Sequence, residues 1–316
     1  MSSFKGSNLL ITGANGFVGT AAVNHFLNRG AHVVALVKDI NRKTLLPSAS
    51  SNFSIARGDI LDRDSVRTIL NHYEIDYVLH LAAESIVKIC DSDPYSAYTT
   101  NVVGTLNVLE EARTSKRRPK KIIVMTSDKA YGPAEVPYKE DTPPVVGDSY
   151  ATSKTCQDFL SRSYAKTYGL PVVVARASNI YGPGDLNISR LIPRSILNLF
   201  NGERPMLYNG VAEFVREFLY IDDVLSGYEV MFEKGVDGEP YNIGGTGHFR
   251  IKEVIQMIVD KVAPTASIDI VEKSFYEIPV QYIDGSKLMA LGWEPQTKLS
   301  EGLDRTIEWY RNYRNG

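Results

Sequence analysis

Short apolar runs alternate with longer amphipathic stretches through the first half of the chain. The runs at residues 9–11, 33–37, 54–56, 77–82, 122–126 and 172–175 read as strands, and residues 18–28, 63–72, 95–115 and 150–168 read as helices between them. Strands that alternate with covering helices predict an α/β fold, a doubly wound parallel sheet. From Asn179 onward the alternation loosens, and Tyr181-Gly182-Pro183-Gly184 breaks the chain. The expected division is a first domain over residues 1–178 and a smaller C-terminal mixed α/β lobe over 179–316, with a stretch around 216–245 returning to the first domain. No internal repeat or low-complexity segment stands out.

Composition adds mild bounds. A chain of 316 residues with 43% hydrophobic and 23% charged residues can bury a substantial core. Its formal net charge of −2 gives no electrostatic reason to expect nucleic acid or an anionic membrane as partner. Cys90 and Cys156 stand alone, which suggests neither a disulfide framework nor a cysteine metal site. His25, His32, His72, His80 and His248 lack metal-ligand spacing, so no metal is expected, and His80 sits in a buried-strand pattern. The apolar run Leu9-Leu10-Ile11 is too short for a signal or a membrane span, which makes a reducing cytoplasm the expected location.

Two clusters carry candidate chemistry. Gly13-Ala14-Asn15-Gly16-Phe17-Val18-Gly19 follows the first strand and opens the first helix. Glycines there permit a tight turn and close approach of the backbone to a pyrophosphate, while the helix N-terminus presents N–H groups to it. The spacing is G-x-x-G-x-x-G, and its place between strand and helix makes Gly13, Asn15, Gly16, Phe17, Val18 and Gly19 candidates to hold a dinucleotide. The second cluster joins Ser127-Asp128-Lys129-Ala130-Tyr131-Gly132 to Tyr150-Ala151-Thr152-Ser153-Lys154. Tyr150 and Lys154 share one helix face about one turn apart, and of the 18 tyrosines only Tyr150 has a lysine four residues later. A free tyrosine titrates near about 10, so acting as a base near neutrality requires a drop of roughly three pH units, worth about 4 kcal/mol. Lys154 can supply part of that field. Ser127, at the carboxyl end of the fifth strand, stands where open sheets bind ligands. Asp128 and Lys129 add an acid–base pair that simple alcohol oxidation does not need.

These motifs resemble the extended short-chain dehydrogenase/reductase family, the NAD(P)-dependent nucleotide-sugar epimerases and dehydratases on a Rossmann sheet. The resemblance covers nearly the whole chain: it includes Gly58-Asp59, His80-Leu81-Ala82-Ala83-Glu84-Ser85, Asn101, Arg176-Ala177-Ser178-Asn179-Ile180-Tyr181-Gly182-Pro183, residues 216–224 and Tyr241-Asn242-Ile243-Gly244. It implies that Asp59 and Ile60 meet adenine, that Leu81, Ala82 and Ala83 line the dinucleotide, and that Glu84, Ser85, Asn179, Arg190 and Arg216 contact a nucleotide sugar held by the C-terminal lobe. Asn179 and Arg216 would take the diphosphate, and Tyr208 and Arg250 are candidates for the base. Many NAD-binding members end the second strand with an acidic residue. Here Val37 is followed by Lys38, Asp39, Arg42 and Lys43, so both dinucleotides stay open with a slight lean to NADP+, tightly bound and regenerated each turnover. The helices over 95–115 and 150–168 resemble the pair that makes the family's four-helix homodimer interface.

Asp128-Lys129 separates the family's branches. Epimerases usually carry small or unreactive residues after the Ser/Thr, whereas 4,6-dehydratases use a second acid–base set to remove the C5 proton and expel the C6 hydroxyl. An Asp-Lys pair beside an intact tyrosine is similar to the CDP-glucose 4,6-dehydratases, while Tyr131-Gly132 looks like the epimerase and dTDP-glucose branches. The expectation is therefore a 4,6-dehydratase in which Tyr150 takes the O4 proton as hydride leaves C4, Asp128 and Lys129 eliminate water, and hydride returns to C6. A 4-epimerase is the alternative, and a non-catalytic dinucleotide sensor a third.

Overall fold

The structure is a computed structural model and describes residues 4–39, 44–272 and 278–315. Its strands are β1 (Asn8–Thr12), β2 (His32–Val37), β3 (Phe53–Arg57), β4 (Tyr77–His80), β5 (Lys121–Met125), β6 (Val172–Ala177), β7 (Asn179–Tyr181), β8 (Met206–Tyr208), β9 (Val215–Tyr220), β10 (Pro240–Ile243), β11 (His248–Arg250), β12 (Asp269–Val271) and β13 (Val280–Gln281). Seven of them form one sheet in the order β10-β6-β5-β4-β1-β2-β3, with every pairing parallel. Consecutive residues feed opposite faces. Leu9, Ile11, Val33 and Ala35 join one apolar core, and Leu10, Val34, Leu36 and Val78 join a second on the other side. Burial on both faces is why these strands read as unbroken apolar runs.

The chain winds outward from β1 in both directions, so the sheet reverses its strand order between β1 and β4. A crevice at the carboxyl ends of those strands follows from this topology. Downstream, β9 is flanked by β7 and β13 in parallel and β11 antiparallel, and β8 pairs with β12. β10 leaves this region to extend the large sheet beside β6.

Several predicted boundaries move for identifiable reasons. The fourth strand ends at His80 rather than at residue 82, because the Leu81 and Ala82 N–H groups leave the ladder and donate to Thr12 Oγ1 at 3.2 and 3.1 Å. The helix expected over 95–115 starts at Pro94 and carries a π turn at Thr99–Val103 before continuing as Gly104–Thr114. Within that wider turn lies Asn101, whose buried amide bonds the Glu84 backbone on both sides, accepting at 2.8 Å and donating at 3.0 Å. The catalytic helix runs Ser149–Tyr168, and Asp148 caps it by accepting from the Ala151 N–H at 2.7 Å. No described helix is long and apolar enough to cross a membrane.

Candidate active site

The turn after β1 is built for close backbone approach. Gly13 has φ +66°, and a Cβ there would stand 2.8 Å from the Ala82 nitrogen. A Cβ at Gly19 would collide with the Gly13 carbonyl oxygen, so this glycine lets the first helix pack against its own strand. That helix, Phe17–Asn28, begins at Gly16 with no side-chain cap, which leaves its first N–H groups for a ligand. The cleft beside it measures about 830 Å³ and gathers Gly13, Asn15, Gly16, Phe17, Val18, Gly19, Lys38, Asp59, Ile60, Leu81, Ala82 and Ala83, with Glu84, Ser85, Tyr150 and Lys154 at its inner end. These residues expected to meet the dinucleotide thus line one groove, and a backbone cradle without side chains faces a helix N-terminus, which fits a pyrophosphate.

At the adenosine end Lys38 pairs with Asp59 at 2.8 Å. Burial works against the Asp59 carboxylate, but the Leu61 N–H and Lys38 outweigh it and hold Asp59 below the usual carboxylate range. Arg42 and Lys43, also named for a 2′-phosphate, lie outside the described residues. Thr44 and Leu45 also border this cleft; nothing in their local sequence marks them, and only the path of the loop brings them there.

A second cavity of about 410 Å³ adjoins the first and shares Val18, Ser85, Met125, Thr126, Tyr150 and Arg190 with it. Its walls include Ser127, Asp128, Lys129 and Asn179. The four residues after Ser127 leave β5 as a short turn, Asp128–Tyr131. Ser127 Oγ caps it, accepting from the Lys129 N–H at 3.2 Å and donating to Asp128 Oδ1 at 3.0 Å. The Ser127 hydroxyl also hydrogen-bonds the Tyr150 hydroxyl. Lys154 Nζ sits 5.9 Å from the Tyr150 ring centre and donates to Gln157 Oε1 at 2.9 Å.

The electrostatics differ from the expectation in one respect. Burial pushes the Tyr150 hydroxyl up to about 12 even though Ser127 and Arg190 pull it down. Burial therefore outweighs the two side chains that favour the phenolate. Burial pushes Lys154 down to about 8. It also raises Asp128, against the pull of Lys129, Ser127 and Arg216.

Not all expected contacts gather here. Arg190 lines both clefts and pairs with Asp185 at 3.0 Å. Asn179 reaches the sugar cavity, although its amide donates to the Glu217 carbonyl at 3.0 Å. Arg216 lies behind the wall, donating to the Val215 carbonyl at 2.9 Å, and lines neither cleft. Tyr208 and Arg250 line neither cleft as well. Two neighbours were not expected. Lys88 lines the sugar cavity, and Glu217, in β9, is buried and pushed up to about 8 by desolvation, with Asp128 adding to the rise. A charged pair inside the apolar strand Val215–Tyr220 was the available sign of it. Among the described residues no cluster of possible metal ligands occurs.

One buried node holds this end of the site together. Arg176 in β6 donates from Nε and Nη2 to both Asp158 oxygens at 2.7 and 3.0 Å, and from Nη1 to the Tyr131 hydroxyl at 2.8 Å. Tyr131 donates to Asn242 Oδ1 at 2.7 Å, and the Asn242 amide donates to the Tyr138 and Asp284 carbonyls at 2.9 and 3.0 Å. The node ties the turn bearing Asp128 and Lys129 to β6, to β10 and to the helix bearing Tyr150.

The sheet, the glycine cradle and the Tyr150–Lys154 pair are together the architecture of a short-chain dehydrogenase/reductase. A family model described as GDP-mannose 4,6 dehydratase matches residues 10–306. The chain is 32% identical over 341 residues to dTDP-glucose 4,6-dehydratase 1 of Escherichia coli, covering 96% of this chain and 92% of that one. It is 34% identical over 322 residues, 98% of its length, to a trifunctional UDP-glucose 4,6-dehydratase/UDP-4-keto-6-deoxy-D-glucose 3,5-epimerase/UDP-4-keto-L-rhamnose-reductase of Arabidopsis thaliana, and spans about half (48%) of that relative. Among solved structures, a dTDP-glucose 4,6-dehydratase of Streptomyces venezuelae with NAD bound superposes with a TM-score of 0.87 at 30% identity, covering 98% of each chain. A UDP-glucose 4-epimerase of Thermotoga maritima superposes at 0.90 with 26% identity, covering 97% and 99%. The chain belongs to the extended short-chain dehydrogenase/reductase family of nucleotide-sugar dehydratases and epimerases.

Replacing Arg176 tests the buried node. Arg176→Met removes the bidentate partner of the buried Asp158 carboxylate, leaving Arg162 at 3.7 Å, and is expected to cost about 3–5 kcal/mol, whereas Tyr131→Phe, which keeps the ring, costs about 1–2 kcal/mol. Thermal and urea melts of the two variants measure both. Equal small losses would mean that the ion pair does not support the site.

Proposed function

We propose that this protein is an NAD(P)-dependent nucleotide-sugar 4,6-dehydratase that forms an NDP-4-keto-6-deoxy sugar. The observation that carries the reading is the shared cavity of Asp128, Lys129, Ser127 and Tyr150. Epimerisation needs only a base for O4, supported by Ser127 and Lys154; elimination needs a second proton donor and acceptor, and Asp128 and Lys129 stand where those would act.

Bound NAD(P)+ would accept hydride from C4 and, once reduced, return it to C6, and its oxidised ring would set a positive charge beside the tyrosine. Tyr150 takes the O4 proton, with Ser127 hydrogen-bonding the same oxygen and Lys154 stabilising the phenolate. Oxidation at C4 acidifies the C5 proton. The Asp128–Lys129 pair then gains the C5 proton and gives one proton to the departing C6 oxygen; as hydride returns to C6 a proton is added at C5, offsetting the one Tyr150 took from O4, so the enzyme ends with the proton count it began with. Arg190, at the seam of the two cavities, holds the diphosphate. The relatives' names make UDP-glucose and dTDP-glucose the first substrates to test. A 4-epimerase is the second reading, favoured by the likeness to the Thermotoga maritima epimerase and by a complete Ser127–Tyr150–Lys154 set.

For the dinucleotide, the Lys38–Asp59 ion pair argues for NAD+. A 2′-phosphate placed at Lys38 would meet the Asp59 carboxylate as well. The chain also pairs with itself. Tyr95, Tyr98, Val103 and Leu106 are exposed apolar residues spaced so that the π turn's extra residue keeps them on one face, and Phe159 is exposed on the neighbouring helix.

Three outcomes are expected. Lys129→Met retains dinucleotide binding and loses formation of the dehydrated product, followed by mass spectrometry of UDP- and dTDP-hexoses; water loss at the normal rate in this variant would remove Lys129 from the mechanism. Calorimetry finds NAD+ bound at least about tenfold more tightly than NADP+, a gap of roughly 1.4 kcal/mol, and equal or reversed affinity would restore NADP+. Sedimentation finds a homodimer that Tyr95→Asp with Leu106→Asp splits; a monomeric wild type would rule the interface out.

A further inference from the structure

The polar groups buried beneath the cleft form one hydrogen-bonded chain, and counting protons assigns every donor in it. Thr12 Oγ1 accepts from the Leu81 and Ala82 N–H groups at 3.2 and 3.1 Å, which fills its acceptor capacity. The Thr12 hydroxyl therefore donates to His80 Nδ1 at 2.7 Å. His80 must carry its proton on Nε2 and donate to Thr105 Oγ1 at 2.9 Å. The far end gives the same answer independently. Thr105 spends its own proton on the Asn101 carbonyl at 2.6 Å, so it can only accept from His80 and from Gln157 Nε2, the latter at 2.9 Å. This fixes which way the Gln157 amide faces: Oε1 is turned to Lys154 Nζ at 2.9 Å. Thr12, His80 and Thr105 are 0% exposed and Gln157 is 1% exposed, so no solvent competes for these bonds. Burial and the Lys154 charge push His80 down to about 3, which keeps the imidazole neutral as the chain requires.

Resting on the assignment of Tyr150 and Lys154 as the base pair, we propose that Gln157 is a positioning residue for Lys154. The Thr12–His80–Thr105–Gln157 chain couples the lysine's placement to Leu81 and Ala82, the backbone segment that lines the dinucleotide groove. A buried ammonium needs an acceptor. Without Oε1 the described acceptor is the Met125 carbonyl at 3.4 Å, and Lys154 either loses its proton or turns toward the cleft. In both cases the Lys154 amine no longer holds its place 5.9 Å from the Tyr150 ring centre, and Tyr150 ionises at higher pH. The other charged or titratable groups that act on Tyr150 are Asp128, Arg190 and Cys90, while Cys90 and His80 interact with Lys154. Of these only His80 belongs to the chain, and it stays neutral.

The test follows the ultraviolet difference signal of tyrosinate in the full chain saturated with NAD+, taking as the Tyr150 signal the part that Tyr150→Phe removes. Gln157→Met is expected to raise its midpoint by about one pH unit, a tenfold weaker ionisation, with NAD+ affinity within about threefold of the wild type. Thr12→Val, at the other end of the chain, is expected to raise the midpoint and weaken NAD+ binding together. If Gln157→Met does not fold, Thr105→Val removes the acceptor that orients the glutamine at nearly constant volume and carries the same expectation. An unchanged midpoint in a folded variant would overturn this inference alone. A Tyr150→Phe protein that loses no part of the signal would overturn the base assignment, and this inference with it.

Discussion

The guanidinium of Arg176 is the point on which the catalytic end of the molecule depends. It sits inside a strand of the large sheet, away from water, and so needs its hydrogen bonds met by protein. Asp158 accepts two of them as a bidentate partner, and the Tyr131 hydroxyl and Glu140 carbonyl accept two more. Each partner belongs to a different segment, so satisfying one charged group fixes the relative positions of the catalytic helix, the turn after β5 and, through Asn242, the last strand of the sheet. Asp128 and Lys129 are carried on a turn that is also held by the Ser127 cap and by Thr155, which donates to the Ala130 carbonyl at 2.8 Å. The arrangement places the cost of burying an ion pair next to the place where geometric precision is needed.

A second polar network does related work beneath the dinucleotide groove. It runs from Thr12 through His80, Thr105 and Gln157 to Lys154, and each member has its donors and acceptors matched. Between the two networks lies Tyr150, whose hydroxyl is shielded enough to resist ionisation. The same shielding makes any positive charge brought into the cleft act strongly on it, because field strength grows as water is excluded. Chemistry at this tyrosine is thereby conditional on what occupies the neighbouring groove.

The large sheet was legible because its strands are buried on both faces and cannot hide their apolar runs, as in Val33–Val37 and Val172–Ala175. The glycine turn was legible because a tight turn and a helix packed on its own strand exclude side chains. Tyr150 and Lys154 were legible because helical spacing alone puts them on one face. The short strands β7, β8, β11, β12 and β13 have three residues or fewer, too few to show a period, and the π turn at Thr99–Val103 depends on a buried asparagine that no periodicity marks. Arg216 looked like a contact from its motif, yet its guanidinium is turned to backbone carbonyls behind the wall. Glu217, next to it, went unassigned because its raised pKa comes from desolvation, and desolvation is a property of the packed neighbourhood.

By itself, the sequence determined the α/β alternation, the backbone cradle after β1 and the identity of the groups able to move protons, since each follows from local spacing and side-chain chemistry. Only the tertiary structure decided which of those groups share a cavity, that burial raises Tyr150 against the pull of Ser127 and Arg190, that Lys38 is engaged by Asp59, and that Gln157 faces Lys154. These are consequences of contacts between residues far apart in the chain, where burial, bond counting and the field of neighbouring charges set behaviour that no single segment encodes.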